Sequence, residues 1–189
     1  MNDSQKAIEI LGAGGIVIYP TDTAFGIGCR IGDHEAVDRL FKIRRRPLTQ
    51  AMPVLVDSID MALTCLESPS EIVRRFMKLY WPGALTIVAP CKKNRIYSPI
   101  RGYGETIGLR MPGHPTIVDI ITRVGEPILG PSANFHGDPT PYSTGDLNRD
   151  LIRLVDYVVP GDCTVRQAST VVDCSTDPYK ILRKGAIEI

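Results

Sequence analysis

The chain has 189 residues, of which 43% are hydrophobic and 23% are charged. This length and composition are typical of one globular domain and exclude a disordered or collagen-like chain. Lys and Arg number 22 against 21 Asp and Glu, and the resulting net charge of +1 gives no overall electrostatic reason to bind nucleic acid. We therefore expect residues 1–189 to form a single domain.

Helical and strand-like hydrophobic patterns alternate along the chain. In chain order, the predicted elements are a helix capped by Ser4, a strand over 15–19, a helix capped by Asp33, a strand over 54–56, a helix over 70–80, strands over 84–88 and 106–110, a helix over 116–124, a strand over 127–129, a helix over 144–155, and strands over 157–159, 169–173 and 181–183. This interleaving predicts a mixed α/β (α+β) fold in which helices pack on a twisted mixed β-sheet.

Glycine and proline are frequent in this sequence, with 17 and 15 residues respectively. They collect next to the predicted strands, as in Pro20, Gly26, Gly28, Pro82-Gly83, Pro112-Gly113 and Gly130-Pro131. Ligands of open α/β sheets bind outside the carboxyl ends of strands, on loops that such residues shape. The pattern therefore indicates a binding site at the strand ends.

Two common catalytic or nucleotide-binding motifs are absent. The segment 26–31 lacks the third glycine of a dinucleotide fingerprint, and no P-loop sequence occurs. The segment Gly130-Pro131-Ser132-Ala133-Asn134 resembles a nucleophile elbow, with His136 as the one downstream histidine. A serine hydrolase therefore stays open as a minor alternative.

The segment 39–46 contains five basic residues and no acidic one. Cations favour the last turn of a helix, so a solvated helix end is the simpler explanation. Three consecutive arginines before Pro47 exceed that need, and guanidinium groups suit phosphate or carboxylate ligands. We predict an anion-binding site here.

Several motifs resemble those of the YrdC-like (TsaC) threonylcarbamoyl-AMP synthases. The segment Pro20-Thr21-Asp22-Thr23-Ala24-Phe25-Gly26-Ile27-Gly28 is similar to the family's P-T-D/E-T-x-Y-G-L-G motif. Further family landmarks follow in order at 44–47, 81–86, 108–114, 131–134, 169–173 and 182–185. The resemblance covers nearly the whole chain and implies the YrdC-like fold in its short, single-domain form.

The sequence departs from the family pattern at two places. The basic motif is usually K-x-R-P, and alignment on Pro47 places arginine, Arg44, where the family has lysine. Lys42-Ile43-Arg44 also reads K-x-R, but this alignment shifts the proline by two residues. In addition, Phe25 replaces the usual tyrosine and so lacks its hydroxyl group.

The resemblance implies a reaction in which L-threonine, bicarbonate and ATP form threonylcarbamoyl-AMP and pyrophosphate. This nucleotidyltransferase step precedes N6-threonylcarbamoyladenosine formation on tRNA, which a downstream threonylcarbamoyl transferase completes. By the same resemblance Mg²⁺ accompanies ATP, and the catalytic residues are Arg44 and Arg46. The implied L-threonine ligands are Thr23, Arg110 and Ser169. The implied ATP ligands are Arg44, Arg46, Thr106, Ser132, Asn134 and Arg183.

A double-stranded RNA-binding module of the same fold is the main alternative. Residues 1–101 carry a net charge of +4 from 14 basic and 10 acidic residues, which is compatible with RNA phosphates. The sequence contains few aromatic residues and no recognisable RNA-binding motif.

Two further features predict where the protein acts. The first residues lack the pattern of a signal peptide, and no apolar run is long enough for a membrane span. The five cysteines form no C-x-x-C pair, so we expect reduced, buried thiols in a cytoplasmic protein. No metal-ligand spacing is found.

Overall fold

The computed structural model describes residues 2–189. The helices are α1 (Asp3–Gly12), α2 (His34–Ile43), α3 (Ile59–Cys65), α4 (Glu71–Tyr80), α5 (Pro115–Val124) and α6 (Arg149–Leu154). The strands are β1 (Val17–Tyr19), β2 (Gly26–Gly28), β3 (Val54–Leu55), β4 (Leu85–Pro90), β5 (Thr106–Arg110), β6 (Ile128–Leu129), β7 (Tyr157–Val158), β8 (Thr170–Asp173) and β9 (Lys180–Arg183). Short 3₁₀ helices lie at Ser98–Arg101 and Thr144–Asp146.

The strands form two mixed sheets. A three-stranded sheet has the order β2-β1-β7, with β1 antiparallel to β2 and parallel to β7. A six-stranded sheet has the order β6-β3-β5-β4-β8-β9. Its pairs β3-β5 and β4-β8 are parallel, and the other neighbours are antiparallel. The mixed α/β fold predicted from the sequence is confirmed.

The two sheets meet where β2 lies beside β6. Isolated bridges pair Gly26 with Ser132 and Arg30 with Ile128. A Cβ atom on Gly28 would lie 1.9 Å from the carbonyl oxygen of Leu129, so only glycine allows the backbones to approach this closely. The sequence prediction missed β2 because its two glycines read as a loop.

The N-terminal cap of α2 agrees with the sequence prediction, and that of α1 differs from it. The Asp33 side chain accepts a hydrogen bond of 3.0 Å from the backbone N–H of Ala36, which confirms it as the cap of α2. The predicted cap Ser4 is wrong, because Asn2 caps α1 by accepting from Gln5 N–H at 2.8 Å.

The predicted helix over 144–155 is two separate elements. A capping box between Ser143 and Asp146 closes the 3₁₀ turn, and the Asn148 side chain then caps α6. Each of these side chains offers the backbone a local alternative to a continuous helix. The prediction also missed α3, which Ser58 caps by accepting from Met61 N–H at 3.1 Å.

The apolar faces of the elements form two buried clusters. The larger lies between the six-stranded sheet and α2, α3 and α4, and the smaller packs α1 and α5 together. All five cysteines are buried and unpaired, which confirms the prediction of free thiols. Within residues 2–189, every helix is too short or too polar to cross a lipid bilayer.

Candidate active site

A cavity of about 490 Å³ opens between the β1–β2 loop and the faces of β4, β5, β8 and β9. Its wall includes backbone at Gly26, Gly108 and Gly130, which supports the expectation that glycines shape a site at the strand ends. Eight of the nine predicted site residues line it, namely Thr23, Arg44, Arg46, Thr106, Arg110, Ser132, Ser169 and Arg183.

One side of the cavity is built around Arg110 at the end of β5. Its Nη1 donates to Thr23 Oγ1 at 2.5 Å, its Nε donates to the Gly83 carbonyl at 3.0 Å, and its Nη2 pairs with the Asp22 carboxylate. Burial lowers the pKa of Arg110, and the nearby Asp22 partly opposes that shift. The ion pair thereby holds a cation in the cavity wall.

The Thr23 hydroxyl also belongs to a small network in the β1–β2 loop. It lies 3.1 Å from Thr21 Oγ1, which in turn donates to the Ala24 carbonyl at 2.7 Å. Thr21 and Asp22 belong to the sequence motif at 20–28, yet no role was predicted for either. Their motif membership was the signal that could have identified them.

A second group of polar side chains joins β4, β8 and β9. Ser169 Oγ lies 2.9 Å from Thr86 Oγ1, and it accepts from Arg183 Nη2 at 3.0 Å. Arg183 Nε donates to the Ser169 carbonyl at 3.0 Å. The structure thus brings together a predicted threonine ligand and a predicted ATP ligand, and adds Thr86, which the sequence analysis did not single out.

A third group holds Arg44, the residue that follows α2. Its Nε donates to the Asn134 carbonyl at 3.1 Å and its Nη2 donates to Asn134 Oδ1 at 2.9 Å. The side chain is buried, and Nη1 has no hydrogen-bond partner among the described residues. Burial, and secondarily Arg46, lower the pKa of Arg44 to about 10, so the residue stays a cation at neutral pH. The cavity wall therefore contains a buried cation without a counter-ion.

Asn134 does not line the cavity, although we expected it to contact ATP. Its Oδ1 accepts from both Arg44 and Ser132, the latter at 2.7 Å, and its Nδ2 donates to the Asp138 carbonyl at 2.6 Å. The amide oxygen and nitrogen both bond to protein groups, and the contact of Asn134 with ATP stays a prediction. Ser132 itself lies on the cavity wall.

The proline-anchored alignment of the basic motif agrees with where the side chains lie. Arg44 and Arg46 both line the cavity, whereas Lys42 is exposed on α2 and does not. Arg46 is half-buried, and it donates to the carbonyls of Gln50 at 3.0 Å and Ala51 at 2.7 Å. Burial lowers its pKa.

The cavity wall is strongly basic. It contains four arginines and no acidic residue, and only Arg110 has a carboxylate partner. Burial lowers the pKa of Arg183 as well as those of the other three. Arg44 is buried without a counter-ion, which is unfavourable, and a polyanion bound in the cavity would offset the charge of this wall.

Two of the remaining basic residues of 39–46 have partners within the protein. Arg39 pairs with Asp156 at 2.6 Å, and the Arg45 guanidinium stacks over the Phe135 ring at 4.3 Å. Of the arginines that line the cavity, Arg44 and Arg110 are buried. The structure therefore adds no observation in favour of the RNA-binding alternative.

The cavity wall also lacks the residues that a serine hydrolase or a metal centre needs. No histidine lines it, so Ser132 has no base there. Across residues 2–189, no three His, Cys, Asp or Glu side chains are arranged to bind a metal ion.

Comparison with known proteins identifies the group to which this chain is related. The sequence profile of the Sua5/YciO/YrdC family, which is described as "Telomere recombination", matches residues 9–185. The chain belongs to this family. The YrdC-like resemblance found in the sequence is confirmed.

Relatives within the family include proteins with and without a named activity. The chain is 34% identical to the threonylcarbamoyl-AMP synthase of Bacillus subtilis, in a match that covers 98% of this chain and 55% of that protein. It is 30% identical to the threonylcarbamoyl-AMP synthase of Pyrococcus abyssi, in a match that covers 93% of this chain and 52% of that protein. It is 27% identical to the uncharacterized protein YciO of Escherichia coli over 97% of this chain and 89% of YciO. The chain thus spans about half the length of the two synthases.

Solved structures of the family have the same fold. P. abyssi Sua5 complexed with L-threonine matches with a TM-score of 0.92 and 29% identity, over 96% of this chain and 54% of that one. The crystal structure of E. coli YciO matches with a TM-score of 0.86 and 27% identity, over 96% of this chain and 88% of the YciO chain.

Proposed function

We propose that the protein is a threonylcarbamoyl-AMP synthase, which condenses L-threonine, bicarbonate and ATP to threonylcarbamoyl-AMP and pyrophosphate. One observation carries the proposal: a cavity lined by four arginines and no acid includes a buried arginine, Arg44, with an unpaired N–H. Such a wall suits a triphosphate. The similarity to two named synthases and to a threonine complex supports the same activity.

The chemistry makes modest demands on the protein. The threonine amine and bicarbonate give a carbamate with loss of water, and a carbamate oxygen then attacks the α-phosphorus of ATP. The new P–O bond forms as the bond to the β-phosphate oxygen breaks, and pyrophosphate leaves with that electron pair. An anionic nucleophile needs no serine-histidine base, so catalysis rests on positioning and charge stabilisation.

In this proposal Arg44 and Arg46 bind the triphosphate and stabilise the charge that develops on it. Arg183, Thr106 and Ser132 complete the ATP site, and Asn134 contributes through Arg44. Mg²⁺ would arrive with ATP, bound mainly through the phosphates and water, as is usual for Mg²⁺ in nucleotide sites. No catalytic step is assigned to the metal.

The threonine subsite would lie around Thr23, Arg110 and Ser169. Arg110 is fixed by Asp22 and Gly83, which orients its guanidinium for a carboxylate. The hydroxyls of Thr23 and Ser169 offer short polar contacts. The product would pass to a threonylcarbamoyl transferase that modifies tRNA, a partner and a cytoplasmic setting that we also propose.

The test is pyrophosphate release from ATP and Mg²⁺ in the presence of bicarbonate and L-threonine. We expect release only when every substrate is present, together with threonylcarbamoyl-AMP detected by mass spectrometry. Arg46→Met should reduce release at least about a hundredfold, while Arg95→Met, which alters an exposed arginine outside the cavity, should leave it unchanged. Threonine-independent release, or none, would contradict the proposal.

A further inference from the structure

Asn134 connects the loop after β6 to the end of α2. Its carbonyl and its Oδ1 accept from Nε and Nη2 of Arg44, so the same residue contacts two sides of one guanidinium. The Oδ1 atom also accepts from Ser132 at 2.7 Å, and Nδ2 donates to the Asp138 carbonyl at 2.6 Å. Both ends of this amide are therefore occupied by protein groups.

The two bonds hold the Arg44 guanidinium in one orientation. Nε and Nη2 are engaged, Nη1 is buried without a partner, and the residue as a whole lines the cavity. A long arginine side chain loses much rotamer freedom when it binds a ligand. Prior fixation by Asn134 removes that loss from the binding step.

We propose that Asn134 is a positioning residue that acts on ATP only through Arg44, an inference that rests on the proposed function. Ser132 and Asp138 hold the Asn134 amide, and the amide holds the guanidinium. Removal of this amide should raise the KM for ATP and leave the KM for L-threonine unchanged, because the Arg110 side of the cavity does not contact Asn134.

A double-mutant cycle separates this role from direct contact with ATP. In the wild-type background, Asn134→Ala should lower kcat/KM for ATP about tenfold, which is the loss expected for one hydrogen bond to a charged group. In an Arg44→Met background, the same change should alter kcat/KM by less than about twofold. A tenfold loss in both backgrounds would overturn the proposal.

A second measurement needs no turnover. In ligand-free protein labelled with ¹⁵N-arginine, Asn134→Ala should speed solvent exchange of the Arg44 Nη2–H about tenfold, since the hydrogen bond from Nη2 to Oδ1 is lost, whereas the bond from Nε to the backbone carbonyl is kept. Asn94→Ala, at an exposed turn, is the matched control and should change nothing. Unchanged exchange in Asn134→Ala would refute the positioning role.

A conservative variant covers the case in which the alanine variant does not fold. Asn134→Asp keeps the backbone carbonyl and the Oδ1 acceptor and adds a negative charge beside Arg44, so ATP should bind more weakly while the Arg44 Nη2–H stays protected. Fast exchange of the Nη2–H in this variant would contradict the inference. Failure of the wild-type protein to release pyrophosphate would contradict the proposed function alone.

Discussion

Arg110 and Asp22 form a buried ion pair that ties the end of β5 to the β1–β2 loop. Their side chains are 8% and 6% exposed, and they lie 88 residues apart in the sequence. The pair keeps Arg110 charged in a site where burial lowers its pKa. One contact therefore serves both the fold and the proposed threonine subsite.

Loss of the Asp22 charge should destabilise the protein. Asp22→Asn leaves the Arg110 cation buried without a counter-ion, and we expect the free energy of unfolding to fall by about 3 kcal/mol. Urea denaturation followed by circular dichroism measures it. Glu105→Gln, which removes the exposed pair with Lys93, should cost less than about 1 kcal/mol, and equal losses would contradict the argument.

Arg44 should be important for activity but not for stability. Its buried cation has an unpaired N–H, so in Arg44→Met we expect an unfolding free energy that is unchanged or higher by about 1 kcal/mol. Pyrophosphate release should fall at least about a hundredfold. Arg39→Met, which breaks the pair with Asp156, should have the opposite effects. We expect its unfolding free energy to fall and its pyrophosphate release to stay unchanged. A marked loss of stability in Arg44→Met would refute this view.

Gly28 should not tolerate a side chain. In Gly28→Ala the new Cβ would meet the Leu129 carbonyl at 1.9 Å and the Tyr19 hydroxyl at 2.9 Å. The junction of the two sheets must then shift, and we expect a loss of at least about 2 kcal/mol in thermal or urea unfolding. Gly12→Ala is the control, because no atom lies within 4 Å of its Cβ and alanine favours the helix. Similar stabilities of the two variants would be evidence against the close packing.

The native thiols should be unreactive. All five cysteines are buried, and burial raises the pKa of Cys29 from 9.0 to about 12 and that of Cys174 to about 11. A thiol reagent at pH 8 should label the folded protein far more slowly than the five thiols of the protein in guanidinium. Rapid labelling of the folded protein would contradict this burial.

The same shift affects stability at high pH. Between about pH 9 and pH 12 the folded protein retains the Cys29 proton that the unfolded chain releases, so the contribution of Cys29 to the unfolding free energy is complete below pH 9 and is lost as pH rises. Cys29→Ser should show a shallower decline over this range, which urea titrations at several pH values would measure.

The sequence alone predicted the elements whose signals are local. Asp33 and the apolar residues after it lie within one or two helical turns, so the pattern needs no distant partner. Strand β5 was likewise predicted at its observed bounds. Two of the elements missed or misjudged, β2 and the region 144–155, depend on a close approach of another strand or on competing side-chain caps. The third, α3, has a local cap in Ser58 that the sequence analysis overlooked.

The composition and motifs of the sequence determined the mixed fold, the family and a basic set of candidate residues. Only the tertiary structure decided which of those residues line the cavity and which of them bond to one another. Asn134 and Arg44 are in contact although 90 residues separate them in the sequence. Ser169 and Thr86 are likewise in contact across 83 residues. A motif records which residues are present, but the hydrogen-bond partner of a buried polar group depends on which elements pack against it.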